Sequence, residues 1–129
     1  MSTRSQTKPS VIIIDDCDFT RLVWQKNKSI IIQGIYASPE ELIASKHYKD
    51  YLALSQVFWI IDYYFDNSPQ NGDHLIAQLK KDCVQGQIIL SSDLYEKKPN
   101  NKSLIQRDDG VILASKDQSH ILEIIQTRE

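Results

Sequence analysis

The sequence predicts an α/β fold: a doubly wound, five-stranded parallel sheet with helices on both faces. Three observations lead there. Short apolar runs at 11–14, 29–36, 57–61 and 87–90, with a weaker fifth at 110–114, are rich in β-branched residues. They are apolar on both pleat faces, as strands buried on both sides of a parallel sheet are. Segments with helical spacing lie between them, so strand and helix alternate along the chain, the pattern of strands joined by crossover helices.

The elements follow in order. Residues 1–9 are small and polar and read as a flexible tail, leaving 10–129 as one domain. Segment 18–27 carries Phe19, Leu22 and Val23 on one stripe, with Asp18 as its N-cap. Ser38, Pro39, Glu40 and Glu41 open a second helix with a serine cap, proline at the first position and acids in the first turn. It is expected to run through Leu42 and Ile43 toward Tyr51. A third begins at Asn71 or Gly72, repeats Leu75, Ile76 and Leu79, and stops near Gly86. Segment 94–109 has only Leu104 and Ile105 as an apolar stripe, so the fourth helix is expected to be short or irregular. The last, 118–126, gathers Ile121, Leu122, Ile124 and Ile125 on a broad apolar face.

Composition excludes several classes. A length of 129 residues suits one compact domain, which hides roughly two-thirds of its unfolded surface. Fifteen Lys and Arg against seventeen Asp and Glu leave a net charge of −2, which argues against gripping nucleic acid through bulk charge. Cys17 and Cys83 form no disulfide framework, and neither they nor His47, His74 and His120 show metal-ligand spacing. The N-terminus lacks a signal-peptide core, and no apolar stretch approaches the ~18 residues of a membrane span. A soluble, cytoplasmic protein is expected.

Parallel sheets bind ligands beyond the carboxyl ends of their strands. Asp15 and Asp16 follow the first run, Asp62 the third, Ser91 and Ser92 the fourth, and Ser115 and Lys116 the fifth. Three carboxylates on one rim repel unless a cation joins them. Hard oxygens with room for water suit Mg²⁺, and a nearby hydroxyl and ammonium suit a phosphoryl group. An aspartate so placed can act as a nucleophile.

These residues, over 10–127, resemble the receiver domain of bacterial two-component response regulators. The resemblance implies a flavodoxin-like sheet of order 2-1-3-4-5, with Asp62 as phosphoacceptor. It makes Asp15, Asp16, Asp62 and the backbone carbonyl of Tyr64 the Mg²⁺ ligands, and Ser91 and Lys116 the residues that bind the phosphoryl oxygens. The donor would be a histidine kinase or histidine phosphotransfer protein. The signal would pass to a downstream protein target, with no direct nucleic acid or membrane contact, from a monomer or a weak phosphorylation-dependent homodimer. Such a domain is not an enzyme beyond catalysing its own phosphorylation and dephosphorylation.

Departures from the family pattern fall around the site. Segment 62–72 is about two residues longer than usual, with Asp66 where the family has proline. Asp117 follows Lys116 in place of proline, and Leu113 takes the position of the aromatic switch residue. Phe65 is expected to pack the loop, and Tyr64 to shield the acyl phosphate from water. Trp24 and Trp59 read as core residues and Cys17 as structural.

Two other readings stay open. One is a degenerate receiver that serves as a non-phosphorylated interaction module. In the other, Asp16, Asp18 and Thr20 also fit DxDxT, so the segment is similar to haloacid-dehalogenase-like phosphatases. Asp16 would then be the nucleophile, Asp18 the acid/base, and Ser91 and Lys116 the phosphate binders. That family needs a later acidic pair, and the acids after Lys116, namely Asp117, Glu123 and Glu129, stand apart from one another.

Overall fold

Each of the five apolar runs becomes a strand. The computed structural model describes residues 8–92, 105–106 and 109–128. Its strands are β1 (Ser10–Ile14), β2 (Ile31–Tyr36), β3 (Val57–Asp62), β4 (Gln87–Ser91), β5 (Ile105–Gln106) and β6 (Ile112–Ala114). The sheet runs β2-β1-β3-β4-β6-β5. The five expected strands pair in parallel and, counted without β5, stand in the order 2-1-3-4-5.

Strand alternation divides the core into two layers. Val11, Ile13, Phe58, Ile60 and Ile89 pack with Trp24 of α1 (Asp18–Gln25) and with Ile121, Ile124 and Ile125 of the C-terminal helix, Gln118–Arg128. Ile12, Ile14, Trp59, Ile61 and Leu90 pack on the other face. There they meet Leu42 of α2 (Pro39–Ala44), Tyr48 and Tyr51 of α3 (Tyr48–Leu52), and Leu75, Ile76 and Leu79 of α4 (Gly72–Lys81). The C-terminal helix is α5. Helices therefore cover both faces, and the carboxyl ends of β1, β3, β4 and β6 share one rim.

Several local expectations change. Cys17 occupies the N-cap position of α1 and Asp18 is its first residue; the Asp18 carboxylate pairs with Arg21. The stripe of Phe19, Leu22 and Val23 faces solvent, with Phe19 72% exposed, because α1 turns Trp24 toward the sheet instead. The second predicted helix breaks into α2 and α3. Ser45 is extended at ψ 140°, and its hydroxyl accepts the His47 N–H at 3.1 Å, a local bond that competes with continued helix. Ser38 caps α2 as expected, accepting the Glu41 N–H at 3.1 Å. Asn71 caps α4 within a capping box completed by His74.

β2 is an edge strand and is not buried on both faces; Ile31 is exposed. Its register shifts between Ile32 and Gly34, so Gln33 bulges and its carbonyl accepts the Tyr51 hydroxyl at 3.2 Å. A Cβ at Gly34 would lie 2.5 Å from the Tyr51 hydroxyl oxygen, so any larger residue would have to push that ring aside. Within the weak fourth-helix segment, Ile105–Gln106 forms an antiparallel edge strand on β6 rather than helix. The Asp109-Gly110 turn signal, with Gly110 at φ 89° and Asp109 accepting the Val111 N–H, leads the chain into β6. The rest of that segment through 104, and tail residues 1–7, lie outside the described residues.

Candidate functional site at the strand ends

Register brings the predicted residues to one rim. Ile14 of β1 pairs with Ile61 of β3, Asp62 with Ser91 of β4, and Ser91 with Ala114 of β6. The residues after these strand ends therefore stand side by side. Parallel partners share a face of the sheet, so Asp62 and Ser91 project together. Gly72 lets α4 start hard against this rim: its N–H donates to the Tyr63 carbonyl at 2.7 Å, and a Cβ would lie 2.7 Å from the Asp62 carbonyl oxygen.

Asp15 and Asp62 are 4% and 5% exposed. The Asp15 carboxylate accepts the Cys17 N–H at 2.9 Å, and its main-chain carbonyl accepts Arg21 Nη1 at 2.6 Å. Lys116 Nζ lies 3.2 Å from Asp15 Oδ2 and 3.2 Å from Asp62 Oδ2. Asp16 is half-buried and accepts the Asp66 main-chain N–H at 2.5 Å. Carboxylate oxygens of Asp15, Asp16 and Asp62 all lie within 4.8 Å of one another.

Three carboxylates against one ammonium leave this rim short of positive charge. Burial, with repulsion from Asp15, pushes the Asp62 carboxyl up to about 6 against the pull of Lys116. Burial also works against the charged form of Lys116, but attraction to Asp15 and Asp62 outweighs it and the ammonium holds its proton more tightly than usual. A set of hard oxygens with a charge deficit, able to leave room for water and ligand oxygens, fits a Mg²⁺-sized cation. The residues present fit the group that the resemblance implies.

Ser91 is buried and its hydroxyl reaches the Ile61 carbonyl at 3.4 Å, so it stands beside Asp62 without an ion contact of its own. Tyr64 lies two residues beyond Asp62 with its side chain 54% exposed and its ring edge-on to Tyr63 at 4.6 Å. Phe65 is buried in the helical layer of α2, α3 and α4. Asp117 replaces the expected proline with a helix cap: its carboxylate accepts the Ser119 N–H at 3.0 Å at the start of α5. Leu113 is partly buried against the same layer as Phe65.

Asp18 does not join the cluster; its carboxylate is 94% exposed and held by Arg21. Sequence reasoning missed the main-chain donors of Cys17 and Asp66. The absence of proline at 66 was the visible sign that an N–H is present there.

No protein-family model and no curated protein matches the sequence. Solved structures do. The CheX–CheY complex with BeF₃ and Mg²⁺ from Borrelia burgdorferi matches with a TM-score of 0.64 at 20% identity, covering 92% of this chain and 87% of that one. This chain has the receiver fold. The RcsB response regulator of Salmonella typhimurium matches at TM-score 0.57 and 18% identity over 95% of this chain and 61% of that one. The isolated REC domain of RcsB from Salmonella enterica serovar Typhimurium, determined with BeF₃⁻, matches at 0.50 and 19%, covering 74% and 67%. Within this receiver fold, among the described residues, no helix is long and apolar enough to cross a membrane.

Proposed function

We propose that residues 10–129 form a receiver domain that takes a phosphoryl group on Asp62 and so switches its contacts with other proteins in the cytoplasm. The observation that carries this reading is Lys116 Nζ set 3.2 Å from both Asp15 and Asp62 at the edge of the acidic cluster. An ammonium so held can follow the growing charge on a phosphoryl oxygen without rebuilding the site.

In the reaction, an Asp62 carboxylate oxygen attacks the phosphorus of a phosphohistidine. The P–N bond breaks, the P–O bond of an acyl phosphate forms, and the leaving imidazole takes up a proton. Attack by water later releases inorganic phosphate and restores the carboxylate. Mg²⁺, held by Asp15, Asp16, Asp62 and the Tyr64 carbonyl, would supply charge neutralisation at the phosphoryl oxygens. Lys116 and the Ser91 hydroxyl bind those oxygens, and positioning does most of the rest. The exposed Phe19, Leu22 and Val23, on the helix that starts just after Asp16, offer an apolar platform for a histidine kinase or histidine phosphotransfer protein.

Moving a two-state switch from 1:99 to 99:1 takes about 5.5 kcal/mol of differential binding. Hydrogen bonds to a charged group contribute roughly 1.5–3 kcal/mol each, so Ser91 and Lys116 together reach that scale and neither does alone. The test is labelling with acetyl phosphate and Mg²⁺, read by intact mass, on the wild type and Asp62→Ala. An added phosphoryl group on the wild type, lost in Asp62→Ala, is expected. No adduct on the wild type would support an interaction module, and an adduct that moves with Asp16 would support the phosphatase reading.

A further inference from the structure

The longer loop after β3 does more than connect. Phe65 anchors it in the core. Two residues on, the Asn67 side-chain amide donates to the Ala37 carbonyl at 3.2 Å, and the Ser68 hydroxyl donates to Glu40 Oε2 of α2 at 2.9 Å. Ser68 also accepts the Gln70 N–H at 3.0 Å, and Glu41 accepts the Ala37 N–H at 3.1 Å, closing the same patch. Between anchor and clasp sits Asp66, whose main-chain N–H donates to Asp16 Oδ2 at 2.5 Å across 50 residues of sequence. Its acceptor is an ionised carboxylate, which makes it a charge-assisted bond. Proline, which the resemblance places at this position, has no N–H to give.

We propose that segment 65–68 is a strap that positions Asp16, through the Asp66 N–H, for cation binding, and that the clasp on α2 sets how firmly it does so. This rests on the reading of the acidic cluster as a Mg²⁺ site. A carboxylate ligand free to rotate must be ordered when the cation arrives; one already held by a hydrogen bond at one oxygen presents the other. Partners of this kind change metal affinity by about 10–100-fold when removed. Asp66 is a positioning residue here through its main chain, and its exposed side chain is not needed.

That distinction makes the test specific. Mg²⁺ is titrated into the full chain, with the cation affinity read by calorimetry and the Asp66 amide proton by NMR. Asp66→Ala keeps the N–H and should bind Mg²⁺ within about twofold of wild type, as exposed substitutions usually do. Asp66→Pro should bind roughly tenfold or more weakly. Should Asp66→Pro fail to fold, Asn67→Ala/Ser68→Ala unfastens the clasp and should weaken binding by about threefold or more. In the metal-free wild type the Asp66 amide should resonate far downfield, and Asp16→Ala should abolish that shift, a signature that general destabilisation does not produce. Unchanged Mg²⁺ affinity in a folded Asp66→Pro, or in Asn67→Ala/Ser68→Ala where Asp66→Pro does not fold, or an Asp66 amide indifferent to Asp16→Ala, overturns the strap while leaving the site intact. No Mg²⁺ binding by the wild type overturns the site reading itself, and this role with it.

Discussion

Replacing Asp62 with asparagine should stabilise the metal-free protein at neutral pH. The buried carboxyl is pushed up from 3.8 to about 6, so above that pH its ionised form is held at a cost in the folded state. At 1.36 kcal/mol per pH unit, that cost is about 3 kcal/mol. Asparagine keeps the shape and removes the charge, and Lys116 keeps Asp15 as a partner. That cost already includes the pull of Lys116; burial of the amide's own polar atoms reduces the gain, so about 1–3 kcal/mol is expected, or roughly 3–10 °C in Tm for a domain of this size. The sign with pH follows from linkage. Between the ordinary value and about 6 the folded state binds more protons than the unfolded one, so wild-type stability falls as pH rises through that window. The gap between Asp62→Asn and wild type should therefore be small near pH 4, open through pH 6 and level off above pH 7. Urea unfolding in a chelator at a series of pH values measures it. A gap that stays flat with pH, or an asparagine variant less stable than wild type at pH 8, refutes the electrostatic account of this site.

Other changes have equally definite outcomes. Lys116→Ala leaves two buried carboxylates without their shared ammonium; it should cost about 1–3 kcal/mol at pH 8, move the Asp62 titration upward from about 6, and abolish acetyl phosphate labelling, all checked by unfolding, NMR titration and mass. Gly34→Ala forces a methyl against the Tyr51 hydroxyl and should destabilise by about 1–3 kcal/mol in urea melts, with Tyr51→Phe in the same chain recovering part of it. Tyr64→Asn exchanges an exposed ring beside the rim for a small amide and should change the half-life of phosphorylated Asp62 in an autodephosphorylation assay; an unchanged half-life rejects the shielding role.

Much of the site was legible because the chain order of a parallel sheet maps strand ends onto one rim. Asp15, Asp16, Asp62 and Lys116 could be named together once four apolar runs were taken as neighbouring strands. What each does to the others could not. Chain order alone lets Lys116 pair with either acid; it stands between the two because the ends of β1 and β3 bring both within its reach. The apolar stripe of α1 shows where pattern alone misleads. Phe19, Leu22 and Val23 have the spacing of a core face, yet Trp24 takes the buried side, because one large ring fills the space over β1 that the three would have shared.

The same division runs through the whole protein. Alternation of β-branched runs with amphipathic segments, the serine and asparagine caps, and the placing of chemistry after each strand are properties of contiguous residues, and the sequence by itself determined them. The Gln33 bulge under Tyr51 and the Asp66 bond to Asp16 were decided only in the tertiary structure. Each depends on groups far apart in the chain meeting at a distance of a few ångströms. Local propensity carries no information about such meetings, because their energy exists only once the sheet has brought the partners together.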